Sequence, residues 1–215
     1  MTWLGDHYAS VLSLTGQHVY LAGVPLVLGL LIALPLGWLA SRYRILYPPL
    51  IIGTGLLYTI PSLALFIMLP LLLGTQILNP NNVVVAMTIY TVALLVRTVA
   101  DGLGSVPDDV NQSATAMGYK RVRRFASVEL PLAVPVISAG LRVAAVSNVS
   151  IVSVAALIGV SQLGSLFTDG FNRDFVDPII VGVVACVLLA LLFDLAILGL
   201  TALVTPWQRA DRAAA

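Results

Sequence analysis

Five long apolar runs dominate this chain, at about 18–41, 49–73, 83–100, 132–160 and 178–204. A helix needs roughly 20 mostly apolar residues to cross the hydrocarbon core of a bilayer. The runs are continuous and show no alternation of period two, so they read as helices rather than barrel strands. Apolar residues make up 59% of the 215, and charged ones only 10%. A soluble domain carries about a quarter charged residues. A water-soluble globule and a disordered chain are both excluded on that ground. The formal net charge of +1 gives no footprint for nucleic acid. The single cysteine, Cys186, excludes a disulfide scaffold and a cysteine metal site. His7 and His18 stand outside any ligand spacing, so no metal is expected, and His18 reads as an interfacial polar residue. The fold class expected is all-α integral membrane, with about five transmembrane helices in a single domain over residues 1–215.

Pro25, Pro35, Pro61 and Pro70 fall inside these runs or at their ends. Each would be costly in a soluble helix. Membrane helices tolerate proline where neighbours satisfy the freed carbonyls, so kinks or broken turns are expected, not separate elements. Orientation follows from Lys and Arg in the short loops. Arg42, Arg44, Lys120, Arg121, Arg123, Arg124, Arg209 and Arg212 fall on one side of a five-span chain, and only Arg173 on the other. The N-terminus is therefore expected outside and the C-terminus in the cytoplasm. Arg97 and Arg142 lie toward the cytoplasmic ends of their spans, where they can snorkel. Residues 1–17 carry no Lys or Arg, so no cleaved signal is expected. They read as a short helix on the outer surface.

One connection, 101–131, is too long to be a simple turn. Pro107 and Asp108 open a helical piece, with Asp109 in its first turn favouring the dipole. Ser113, Ala114 and Ala116 make it small-faced, and Gly118 ends it. A second, basic piece starts near Lys120, and Leu130-Pro131 returns the chain to the membrane. The result is a helix–Gly–helix elbow with apolar anchors at Met117, Tyr119, Val122 and Phe125. Such anchors suit a groove on a partner. A basic segment resting on anionic lipid has the same composition.

The spacing in this loop resembles the EAA loop of ABC-importer permeases: Glu-Ala-Ala, then Gly, then Ile-x-Leu-Pro. Here the pattern stands as Gln112-Ser113-Ala114, Gly118, and Val128-Glu129-Leu130-Pro131, with 119–127 filling the required gap. Gln112 replaces the usual acid and Ser113 the first alanine. Residues 17–21 with 33–37, residues 58–64, and the Leu163-Gly164 and Asp169-Gly170 loop are similar to the osmoprotectant branch of these permeases. The resemblance implies a type I (MetI-like) permease fold in a bacterial inner or plasma membrane. It implies a non-enzymatic transport subunit for glycine betaine, choline, carnitine or proline, working by alternating access. An amino-acid or methionine importer is the alternative, and a secondary transporter a more distant one.

No Gly-x-x-x-x-Gly-Lys-Ser/Thr loop is present. ATP and Mg would be bound by two partner ATPase subunits, with no cofactor on this chain. A second permease chain, identical or related, and an extracytoplasmic substrate-binding protein complete the implied assembly, with membrane lipid around it. The coupling residues implied are Gln112, Ser113, Ala114, Ala116, Met117, Gly118, Tyr119, Arg121, Val128, Leu130 and Pro131. Gly118 is the position where a Cβ would conflict with the positive φ expected at the bend.

A translocation pathway is expected along Tyr58, Pro61, Ser147, Asn148, Ser150 and Asp194, with Tyr90 as a further contact. Ser147, Asn148 and Ser150 interrupt an apolar span, and such side chains face a bundle interior as lining or as interhelical glue. Asp194 is an acid deep in a span and needs a partner, with Arg142, Asn148 and Ser153 in reach of a sequence argument.

Overall fold

A computed structural model describes residues 2–207. Nine α-helices follow in order: α1 Thr2–Arg42, α2 Tyr47–Thr59, α3 Ser62–Leu73, α4 Pro80–Gly104, α5 Asp108–Ala116, α6 Arg121–Arg124, α7 Leu130–Val152, α8 Ser165–Asn172 and α9 Val176–Val204. A π-helical turn, Phe125–Glu129, joins α6 to α7, and a 3-10 turn, Ser153–Ile158, extends α7.

The centre is α4, flanked by α1 and α7. Helices in lipid associate by close packing of small residues. Gly29 of α1 lies on Thr91 of α4, and Gly37 lies on Val96 and Val99. The numbers rise together, so α1 and α4 run parallel. Gly140 of α7 lies on Thr98, while Gly102 of α4 lies on Ile137 and Val136, so α7 runs antiparallel to α4. Asn148 fastens all three helices: its Nδ2 donates to Thr91 Oγ1 at 2.9 Å and to the Ala22 carbonyl at 3.3 Å. Helix α9 packs on α7 and turns most of its apolar surface outward. Between them Arg142 grips Asp194 through two hydrogen bonds of 2.6 and 2.8 Å.

The second apolar run, 49–73, is two helices bent by 100° at Ile60-Pro61, not one kinked element. A residue before proline is pushed out of the helical region, and both Ile60 (ψ 129°) and Pro61 (ψ 130°) are extended. The carbonyl of Ile60, freed by the break, accepts the Tyr90 hydroxyl. The pair nonetheless crosses from end to end. Tyr47 donates to Asp101 at one end of α4 (2.8 Å), and Thr75 donates to Asn82 at the other (2.5 Å). Four single helices are long and apolar enough to cross a membrane, and with this bent pair counted as one span the described residues hold five candidates.

A further expectation needs correction. Residues 2–17 are not a separate surface helix. They are the first turns of α1, which runs unbroken for 41 residues past Pro25 and Pro35. Trp3, Val11 and Leu14 pack on the core there, and Trp3 stacks on His7 at 4.4 Å. At Leu130-Pro131 the chain does return to the bundle, and it does so without a break. Helix α6 passes through the π turn into α7, with the Leu130 amide bonded to the Phe125 carbonyl. Proline cannot donate in a helix ladder, and the wider turn falls where that donor is missing.

The basic ends coincide. Arg42 closes α1, Arg97 lies in the last turns of α4, and Lys120 to Arg124 precede α7. Given the helix directions, these lie at one end of the bundle. Arg209 and Arg212 fall outside the described residues.

Candidate functional site: the elbow between α4 and α7

Only residues 105–107 separate α4 from α5, so the elbow begins as a tight corner. Asp108 and Asp109 occupy the first turn of α5, where a negative charge complements the helix dipole. At its other end Gly118 takes φ +83°. The Tyr119 amide reaches back to the Ala114 carbonyl (3.1 Å) and the Gly118 amide to that of Thr115 (2.9 Å). This is a Schellman closure, which favours glycine at this position. A Cβ on Gly118 would meet nothing within 4 Å. The glycine is therefore required by its backbone angle, as expected, and not by any neighbour.

Helix α5 turns Ala114 inward and leaves Gln112, Ser113 and Ala116 exposed. Beyond it, Met117 and Val122 are 69% and 79% exposed. Two apolar knobs thus stand on an otherwise polar surface beside small side chains. Arg121 and Arg123 surround them, and the Arg123 guanidinium sits 4.9 Å over the half-buried Tyr119 ring. Val128 in the π turn and Leu130 and Pro131 at the start of α7 are half-buried. Leu130 and Phe125 join the core that holds α1, α4 and α7 together, and Phe125 meets Trp38 edge-on at 6.0 Å. Behind α5 lies a cleft of about 480 Å³, bordered by Trp38, Arg42, Asn111 and Glu129. The elbow is anchored at its α7 side and overhangs a gap at its α5 side.

The pathway candidates do not form one cluster. Tyr58 meets Tyr90 edge-on at 5.8 Å beside the Pro61 break. Ser147 is half-buried and Ser150 exposed on α7. Asn148 points the other way and is buried in its hydrogen bonds to α1 and α4. Its geometry is that of interhelical glue. Asp194 is matched by Arg142, not by Asn148 or Ser153.

The sequence reading missed a polar knot at the opposite end of the bundle. His18 is fully buried, not interfacial. Its ring nitrogens lie 3.1 Å from Gln162 Oε1 and 3.0 Å from the Val149 carbonyl. Gln162 in turn accepts from the Gly164 amide (2.5 Å) and donates to the Ser153 carbonyl (3.1 Å). Nothing in the sequence around either residue signals the pairing.

With this geometry in hand, the likeness to known proteins is informative. Residues 26–210 match the family described as binding-protein-dependent transport system inner membrane component. The chain belongs to that family. It is a multi-pass inner-membrane transport component and not an enzyme. Its family implies a substrate-binding protein and an ATPase as working partners. Among relatives, the osmoprotectant import permease protein OsmW of Salmonella typhimurium is 34% identical over 204 residues, 94% of each chain. The glycine betaine/carnitine/choline transport system permease protein OpuCD of Bacillus subtilis is 31% identical, covering 89% of this chain and 85% of its own. Among solved structures, an inward-facing form of the MetNI methionine ABC transporter superposes with a TM-score of 0.77. It covers 95% of this chain and 98% of the other at 20% identity, a likeness of fold.

Proposed function

We propose that this chain is the permease subunit of an ATP-driven importer for a small osmoprotectant or quaternary amine of the glycine betaine, choline and carnitine kind. The elbow is the observation that carries the coupling half of this reading. A short helix that overhangs a cleft, closes on a glycine and presents Met117 and Val122 to solvent suits a groove on a separate subunit. The basic end of the bundle is assigned to the cytoplasm by the positive-inside rule. The elbow then meets the ATPase, and the His18 end faces the substrate-binding protein. The substrate half rests on relatives whose names specify osmoprotectants, glycine betaine, carnitine and choline.

Two ATPase subunits would bind ATP and Mg and move two elbows together. A second permease chain, identical or related, would close the pathway, since one five-crossing bundle cannot enclose it alone. Within this chain, Tyr58 and the Pro61 break, with Ser147 and Ser150, are the surfaces we assign to the pathway. Asn148 bridges helices, and the Asp194 carboxylate is matched by Arg142 rather than free for a cationic solute. Selection among solutes then rests mainly with the external binding protein.

The test is uptake of radiolabelled glycine betaine by the reconstituted complex, with choline, carnitine and methionine as competitors. Competition by the quaternary amines and none by methionine is expected. Competition by methionine alone moves the chain to the amino-acid branch. No association with any ATPase removes the reading altogether.

A further inference from the structure

Besides the short corner from α4, α5 is joined to the α6–α7 unit in two ways. One is the backbone through Gly118 and Lys120. The other is a single side chain, Arg124. Its Nε donates to Glu129 Oε1 at 2.7 Å and its Nη1 donates to Thr115 Oγ1 at 2.8 Å. The Thr115 hydroxyl in turn donates a hydrogen bond to the Asn111 carbonyl at 2.8 Å. A directed relay therefore runs from the π turn, through one guanidinium, into the middle of α5. Among the described residues, no other side chain hydrogen-bonds α5 to the α6–α7 unit. The Arg124 and Glu129 side chains are 15% and 14% exposed, so this pair lies well within the protein although the elbow's outer face is open.

The π turn makes the pair possible. Positions five apart on a regular α-helix point about 140° away from each other. Opening the helix to i→i+5 bonds reduces that angle, and the turn between Arg124 and Glu129 is the one that opens. The ion pair and the π turn thus support each other. Phe125, the first residue of that turn, packs on Trp38 near the end of α1. A pull on α5 would reach Glu129 through Arg124 and tilt the start of α7.

We propose that Arg124 is the positioning residue that converts movement of the coupling helix into movement of α7, and that Thr115 and Glu129 are its two grips. This rests on the permease reading above. Arginine suits the role because its fixed fork can hold two acceptors at once, whereas lysine offers a point charge.

The test uses the full transporter, reconstituted with its ATPase and binding protein, and measures solute moved per ATP hydrolysed. Arg124→Lys and Arg124→Ala are expected to assemble normally and to hydrolyse ATP. Their ratio should fall about five-fold or more, the lower end of ordinary coupling between sites. A merely structural charge would be rescued by lysine. Thr115→Val keeps the Arg124–Glu129 pair and removes only the α5 grip, so it covers the case in which the arginine variants fail to fold. It is expected to uncouple as well. An unchanged ratio in Arg124→Lys and Thr115→Val, with the wild type transporting, overturns this proposal and leaves the permease reading standing. Failure of the wild type to assemble with an ATPase would instead overturn the reading beneath it.

Discussion

The two ends of the bundle solve opposite problems. At the His18 end, polar groups are buried and each has a partner inside the protein. His18, Gln162, Gly164 and the carbonyls of Val149 and Ser153 form a closed set. At the elbow end, the polar and apolar groups of α5 and α6 are largely exposed, and one arginine ties them down. Buried polar groups resist rearrangement, because an unsatisfied donor or acceptor costs about 1–3 kcal/mol. A thinly tethered helix can move as a unit. The contrast identifies a rigid frame and a lever, and it makes the effects of substitutions predictable.

The largest loss of stability is expected from Gln162→Leu. It takes the acceptor from the Gly164 amide, one donor from the Ser153 carbonyl and the partner from one His18 nitrogen together. The expected cost is about 3 kcal/mol or more, given 1–3 kcal/mol for each stranded group. Thermal unfolding of the detergent-solubilised protein checks it. A melting point equal to wild type would mean that the knot is not a frame.

Next come the helix contacts. A Cβ at Gly29 would run into the Thr91 side chain on α4, whereas one at Gly16 meets nothing within 4 Å. Gly29→Ala is expected to destabilise by about 1–3 kcal/mol through overpacking. Gly16→Ala should be neutral or stabilising, because it removes a glycine from a helix interior. If the two variants melt alike, the α1–α4 contact has room for a Cβ at Gly29.

How far the sequence reached follows the same division. The crossings were legible because hydrocarbon demands long apolar runs, and the elbow was legible because glycine and the Leu-Pro pair are spaced along one loop. The 100° break was half legible: Pro61 announced a disturbance, but the group that takes up the freed Ile60 carbonyl is Tyr90, which is distant in sequence. His18 and Gln162 were misread or missed because they meet across 144 positions, and nothing local to either shows the other. The same holds for Arg142 and Asp194, 52 positions apart, where charge chemistry narrowed the choice and packing made it. The π turn had no signature beyond Pro131.

A smaller effect is expected at Gly118. The φ of +83° costs a side chain about 1–2 kcal/mol, and no neighbour adds a clash. Gly118→Leu should therefore insert and fold, with the cost falling on the elbow. Solute-stimulated ATP hydrolysis and uptake are expected to drop together. Full activity in that variant would show that the turn's geometry is irrelevant to coupling.

The smallest stability effect and the cleanest functional one belong together at Val122. Its side chain is 79% exposed and buries little within this chain. Surface changes of that kind usually stay within about 0.5 kcal/mol. Val122→Asp is therefore expected to leave the melting point unchanged. Yet an acid in place of an apolar knob introduces a charge that a partner groove would have to desolvate, so copurification with the ATPase should fall. Loss of the partner with retention of the fold would separate the lever from the frame in a single substitution. If Val122→Asp instead lowered the melting point, the elbow would be part of the frame, and the distinction between the two ends would fail.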